Sequence, residues 1–125
     1  MGHSDRLVIA DGNFPVMSMG KNAQIIRMDG HGVPEMLDAI LRVFPLDTYI
    51  EKPVNLMEVM PGDDVQTPIW DVYKKTVEKY DERGENAIGE IERFKFYEET
   101  KTAYAVIATS EKALYANIML QKGVV

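Results

Sequence analysis

The chain has no cysteine, which excludes a disulfide framework and a thiolate metal centre alike. No apolar run approaches the ~20 residues that a bilayer-spanning helix needs. Met1-Gly2-His3-Ser4-Asp5-Arg6 offers no apolar core for a signal peptide. Positive charge is scarce: 14 Lys and Arg face 20 Asp and Glu, a net charge of -6. That balance argues against nucleic acid, whose binders need a basic stripe to displace counterions, and against an anionic membrane surface. No glycine-rich phosphate loop precedes a helix, and no Gly-x-Ser-x-Gly elbow is present. The two histidines lack the spacing of a helical metal-binding pair. What remains is a chain suited to the cytoplasm, with a neutral small molecule or another protein as its partner.

The 125 residues, 46% of them hydrophobic and 27% charged, make one domain with one continuous core. Leu7 to Ala10 is a short apolar run closed by Asp11-Gly12-Asn13, the pattern of a buried strand ending in a loop. Residues 16–22 read as loop. Gln24 to Met28 is a second strand, and Pro34 opens a helix that presents Met36, Leu37, Ile40, Leu41 and Phe44 on one face before Pro45. Val54 to Val59 is a third strand, stopped at Pro61-Gly62-Asp63. Thr67-Pro68 starts a second helix, with Thr67 as N-cap and Ile69, Trp70, Tyr73, Val77 and Tyr80 as its apolar stripe. Residues 81–89 read as a surface connection, Ile91 to Phe94 as strand, Phe96 to Thr102 as a short helix, and Tyr104–Ala108 and Asn117–Leu120 as strands. The alternation specifies an α/β domain spanning 1–125, with a buried, mostly parallel central sheet flanked by helices.

Several residues could carry chemistry, and spacing alone leaves each with a plain alternative. His3 precedes the first strand, where Gly-His-Ser behind a methionine also fits a cloning remnant. Asp11 stands at the carboxyl end of a buried strand, where ligands gather in open α/β sheets, and equally suits a turn before Gly12. Arg93 lies among apolar and aromatic residues and could pair with Glu92 or Glu98. Tyr115 could be packing with a satisfied hydroxyl. His31, between two glycines, reads as a solvated loop residue. Asp11 with Glu92 is a conceivable glycosidase pair, a weak signal in a chain with 20 acids.

Taken in order, these segments resemble the fucose mutarotase and ribose pyranase family. The resemblance rests on Gly2-His3-Ser4-Asp5 running through Asp11 to Asn13-Phe14-Pro15, then on Ile25-Ile26-Arg27-Met28-Asp29-Gly30. It continues with Pro45-Leu46-Asp47-Thr48-Tyr49, Gln66-Thr67-Pro68-Ile69-Trp70, Ile91-Glu92-Arg93-Phe94, Phe96-Tyr97-Glu98, and Tyr115-Ala116-Asn117 to Lys122-Gly123-Val124. It implies that Gly-His-x-Asp is a native motif with His3 as general acid. It implies that Asp11 binds substrate, and that Arg93, Tyr115, Ala116 through its backbone, and Asn117 contact the sugar, with Tyr115 binding or relaying a proton. Arginine at 93 is similar to the fucose branch, and the ribose branch usually offers histidine there. Ala116 replaces a glycine frequent in fucose enzymes. Family members carry a helix before the Gly-His motif, which the resemblance leads us to expect absent here.

The implied activity is anomer interconversion of free L-fucose by acid/base ring opening and closure, an isomerase needing no metal or other cofactor. Alternatives are a ribose pyranase and a sugar-binding protein without turnover. The implied assembly is a ring-like homo-oligomer, an octamer or decamer. Geometry adds to this: the residues of the first strand hold its ends roughly 13 Å apart at about 3.3 Å per residue. His3 and Asp11 can therefore share a pocket only if the chain folds back or a second subunit supplies one of them.

Overall fold

The computed structural model describes residues 1–125. In chain order the strands are β1 (Arg6–Ala10), β2 (Gln24–Met28), β3 (Val54–Met57), β4 (Ile88–Ile91), β5 (Ala105–Thr109) and β6 (Ile118–Gln121). The helices are α1 (Val16–Met19), α2 (Val33–Leu41), α3 (Pro68–Tyr80) and α4 (Arg93–Thr100). All six strands form one sheet in the order β2-β5-β1-β6-β3-β4. β1 pairs with β5, β5 with β2, and β3 with β4 in parallel, while β6 runs antiparallel to both β1 and β3. The sheet is thus mixed, with β6 the one reversed strand.

Alternation along β1 builds two cores, because successive side chains of a strand point to opposite faces. Leu7 and Ile9 join Leu37 and Leu41 of α2 and Tyr73 and Val77 of α3 on one face. Val8 and Ala10 join Phe14, Phe96 of α4, Val106 and Met119 on the other. Burying each such Leu, Ile or Phe contributes roughly 1.5–3 kcal/mol. β1 is therefore clamped between layers, and its two ends are fixed points from which loops project.

Several boundaries differ from expectation. Residues 16–19 form one helical turn rather than loop. Residues 84–87 form a 3-10 turn in which Gly84 and Ala87 are buried, so the segment before β4 is packed rather than purely superficial. Thr67 takes the N-cap position of α3 without a side-chain cap bond. The largest difference lies at α4. It starts at Arg93 because Glu92 caps it, accepting the N–H groups of Phe94 at 3.0 Å and Lys95 at 3.1 Å. Those bonds satisfy two orphan donors of the first turn and move Arg93 from a strand to a helix.

Candidate active site

At the carboxyl end of β1 the loops after β1, β3 and β5, with the start of α4, enclose a pocket of about 380 Å³. That is within the size range of small-molecule sites. Asp11, Arg93, Tyr115 and Asn117 line it, together with Asp63 and Tyr97.

Asp11 and Asn117 are locked together. The Asp11 N–H donates to Asn117 Oδ1 at 2.7 Å, while Asp11 Oδ1 accepts the Asn13 N–H at 3.0 Å and Oδ2 the Ala116 N–H at 3.3 Å. Asp11 is thus a turn former and a pocket residue at once. Burial pushes its carboxyl above the ordinary value of 3.8, against the pull of the backbone N–H groups of Asn13, Ala116 and Phe14, and the charge of Glu111 adds to the rise. No cation pairs with it, and a buried acid in that state is a functional-site signature. Ala116 is fully buried. Its carbonyl accepts the Tyr73 hydroxyl at 2.6 Å and its N–H donates to Asp11, and it does not line the pocket, so within one chain it braces Asp11 from behind.

Tyr115 sits in the left-handed region at φ 53°, a conformation costing a non-glycine residue roughly 1–2 kcal/mol. Three contacts hold it there. Its carbonyl accepts the Trp70 indole N–H at 2.8 Å, its hydroxyl accepts the Met60 N–H at 3.2 Å, and the same hydroxyl donates to the Asp63 carboxylate. The Asp63 bond holds the phenol above its ordinary value, although the Met60 N–H opposes it. At neutral pH Tyr115 is therefore an intact O–H donor aimed at a carboxylate.

Arg93 is the cation of the pocket. Its Nε donates to the Tyr97 hydroxyl at 3.2 Å, one helical turn on, and its guanidinium lies 6.0 Å from the Tyr97 ring centre. Tyr97, then Tyr115 and Asp63, keep it firmly protonated. Neither Glu92 nor Glu98 claims it: Glu92 caps α4, and Glu98 pairs with Lys101 at 2.9 Å. Glu92 does not line the pocket either, so no glycosidase pair forms with Asp11. The guanidinium N–H groups of Arg93 other than Nε make no hydrogen bond within the chain and form a planar fork of donors at the pocket wall.

His3 lies outside this pocket, beyond the Arg6 end of β1. Its Nε2 contacts Asp47 Oδ1 at 3.3 Å, and its ring centre lies 5.1 Å from that of Tyr49. The imidazole is 40% exposed. The chain does not fold back, so within one subunit His3 and Asp11 stand at opposite ends of β1. His31 bonds Glu35 through Nδ1 at 2.9 Å on the surface and does not line the pocket. No three His, Asp or Glu side chains converge in a way that would hold a metal ion.

Tyr97 and Asp63 were not among the candidates read from the sequence. The signal for Tyr97 was its spacing of four from Arg93, which places both on one helix face once α4 begins at Arg93. Asp63 reads in sequence as the tail of a Pro-Gly-Asp turn, and nothing local announces its contact with Tyr115.

Comparison with known proteins agrees with this geometry over the whole chain. Residues 1–125 match the RbsD / FucU transport protein family. Human fucose mutarotase is 46% identical over 128 residues, covering 99% of this chain and 82% of that protein. The crystal structure of FucU from Bifidobacterium longum is 66% identical with a TM-score of 0.98, covering 100% of this chain and 89% of that one. The fucose mutarotase of Streptococcus pneumoniae, solved in complex with L-fucose, is 44% identical with a TM-score of 0.92, covering 100% and 86%. With the family matched over residues 1–125 and relatives 46% and 66% identical, this chain belongs to the RbsD / FucU family.

Proposed function

We propose that the chain is a cofactor-independent sugar mutarotase that interconverts the α and β anomers of free L-fucose. The observation that carries this reading is the match to fucose mutarotases over essentially the whole chain, the Streptococcus pneumoniae enzyme being solved with L-fucose. The pocket is chemically suited to it. Asp11 and Asn117 offer acceptors, Arg93 offers donors, and both kinds are needed to hold the hydroxyls of a neutral sugar.

Mutarotation requires a proton delivered to the ring oxygen and one taken from the anomeric hydroxyl. As the bond from C1 to the ring oxygen breaks, its electron pair goes to the protonating oxygen and the anomeric O–H pair becomes the aldehyde double bond. Rotation about the C1–C2 bond and reclosure by the reverse proton transfers give the other anomer. His3 is the acid, since imidazole can give and take a proton near neutral pH. Tyr115 relays the second proton, accepting it from the sugar as its own passes to the Asp63 carboxylate it already contacts. Arg93, Asn117 and Asp11 hold the hydroxyls.

His3 and this pocket belong to opposite ends of β1, so the acid reaches the sugar from a second copy of the chain. A ring-like homo-oligomer would supply this at every site, because head-to-tail contacts whose rotation closes leave no subunit without a neighbour. Saturation-transfer NMR on L-fucose tests the activity. The account expects the protein to speed exchange between the two anomeric H1 signals well beyond buffer. Exchange unchanged from buffer, or acceleration confined to D-ribose, would contradict it.

A further inference from the structure

The buried carboxylate of Asp47 has no place in the chemistry above, and its surroundings ask for one. Asp47 is 1% exposed, yet it sits in the loop segment between α2 and β3. Isolated ions at such depth are costly unless paired and hydrogen-bonded. Oδ1 accepts the Tyr49 N–H at 2.9 Å, and Oδ2 accepts the Gln121 side-chain amide at 2.9 Å. The one ionisable partner within reach of the carboxylate is His3 Nε2. Arg83 spends its Nη2 on the Asp47 backbone carbonyl at 3.1 Å and pairs with the Asp81 carboxylate instead.

Everything around this pair fixes its position. Arg83 also reaches the Ile50 carbonyl at 3.2 Å, tying down the loop that carries Asp47 and Tyr49. Leu46 forms a β-bridge with Lys122, and the Asp47 N–H donates to the Gln121 carbonyl at 3.0 Å. A Cβ at Gly123 would come within 2.6 Å of the Leu46 carbonyl oxygen, so only glycine permits that approach. On the histidine side, Gly2 N–H donates to Asp5 Oδ2 at 2.7 Å and Ser4 N–H to the Lys122 carbonyl at 2.9 Å. Ser4 is held at φ 73°. The two non-glycine residues with positive φ in the chain, Ser4 and Tyr115, therefore adjoin or form the two proposed proton-transfer groups, and strained backbone of this kind is kept where function requires it.

We propose that Asp47 is the positioning residue of His3, accepting a hydrogen bond from Nε2–H and thereby assigning Nδ1 as the nitrogen that exchanges a proton with the sugar. An ionised carboxylate only accepts, so in this bond Nε2 must carry hydrogen. Nδ1 makes no hydrogen bond within the chain and is left for substrate. Asp47 stays ionised: burial alone would raise its carboxyl, but the Tyr49 N–H, the Gln121 amide and His3 together hold it below the ordinary value of 3.8. In the opening step the imidazolium gives its Nδ1 proton to the ring oxygen and becomes the neutral Nε2–H tautomer, whose orientation Asp47 retains for the return transfer. This assignment rests on the reading of His3 as the acid and says nothing about which sugar is bound.

The test is long-range 15N–1H NMR of the His3 imidazole in the assembled protein, with Asp47→Asn and His3→Ala as variants. The wild type is expected to show neutral His3 as the single Nε2–H tautomer. Asp47→Asn should give both tautomers and lower kcat for L-fucose roughly 10-fold or more, with KM changed less than about 3-fold. A wild-type Nδ1–H tautomer, or full kcat in Asp47→Asn, overturns the proposal. If Asp47→Asn does not fold, the wild-type tautomer decides alone. If His3→Ala keeps full exchange, the reading of His3 as acid fails, while the tautomer still reports on its pairing with Asp47.

Discussion

The two ends of β1 each bury a carboxylate, and the two carboxylates behave oppositely. Asp11 at the Ala10 end is 5% exposed and Asp47 beside the Arg6 end 1%, so solvent exposure does not separate them. Enclosure and partners do: the Asp11 carboxyl is far more closely surrounded by protein than that of Asp47. Asp11 meets backbone N–H groups and the repulsion of Glu111, and burial wins, raising its carboxyl. Asp47 meets a backbone N–H, a side-chain amide and an imidazole, and these outweigh burial. One acid is held by backbone N–H groups and lines the pocket. The other has its bonding used within the protein, to hold a side chain. Low exposure by itself does not mark a binding residue; whether the carboxyl lines a pocket, and the charge and kind of its neighbours, does.

The contrast predicts different kinds of damage. Removing the acid end should strike turnover: His3→Ala is expected to lower kcat for anomer exchange by about 100- to 10,000-fold, the range of general acid catalysis, with L-fucose still bound. Calorimetry showing equal loss of affinity would erase the distinction between the two ends. Removing the pocket's cation should strike binding: Arg93→Ala is expected to raise the fucose KM roughly 10- to 100-fold, the worth of charge-assisted hydrogen bonds. A pure kcat effect there would argue against Arg93 as a holder of hydroxyls.

Sequence made much of this legible, unevenly. The strands that are continuous apolar runs, such as Leu7 to Ala10, declare themselves through composition. The reversal of β6 was readable but unread: residues 110–117 are too few to form a parallel crossover from β5, which takes a dozen or more. The start of α4 was misread because Ile91-Glu92-Arg93-Phe94 alternates like a strand, and the Glu92 cap prevails over that pattern. Asp11, Arg93 and Tyr115 each have a plain alternative in sequence, and Asn117 gains a role only through the resemblance, because their convergence depends on segments distant in sequence. Asp47 and Asp63 were invisible for the same reason. Their partners, His3 and Tyr115, lie 44 and 52 residues away.

A smaller effect sharpens the pairing at the acid end. Asp47's depressed carboxyl contributes stability above its unfolded value of 3.8, which is lost as pH falls through its lower folded value. Urea unfolding should therefore find Asp47→Asn less stable than wild type by about 1–3 kcal/mol at pH 7, with the gap closing below pH 3.8. A gap independent of pH would mean the charge on Asp47 contributes nothing. Asp11, raised rather than lowered, should act in the opposite sense: wild-type stability tied to it declines as pH rises from 3.8 through its folded value.

The central claim is that each site joins the pocket of one chain to the histidine of another, and co-expression of two defective chains tests it most directly. His3→Ala retains its pocket, and Arg93→Ala retains its histidine. Random mixing in one assembly should restore intact sites at about a quarter of positions, since each takes its pocket from one chain and its acid from the next. At L-fucose well below the wild-type KM, where the raised KM of Arg93→Ala suppresses its rate, the mixed assembly should recover about a quarter of wild-type exchange while His3→Ala alone stays near buffer and Arg93→Ala alone falls roughly 10- to 100-fold short of wild type. A mixture no more active than its parents would contradict it.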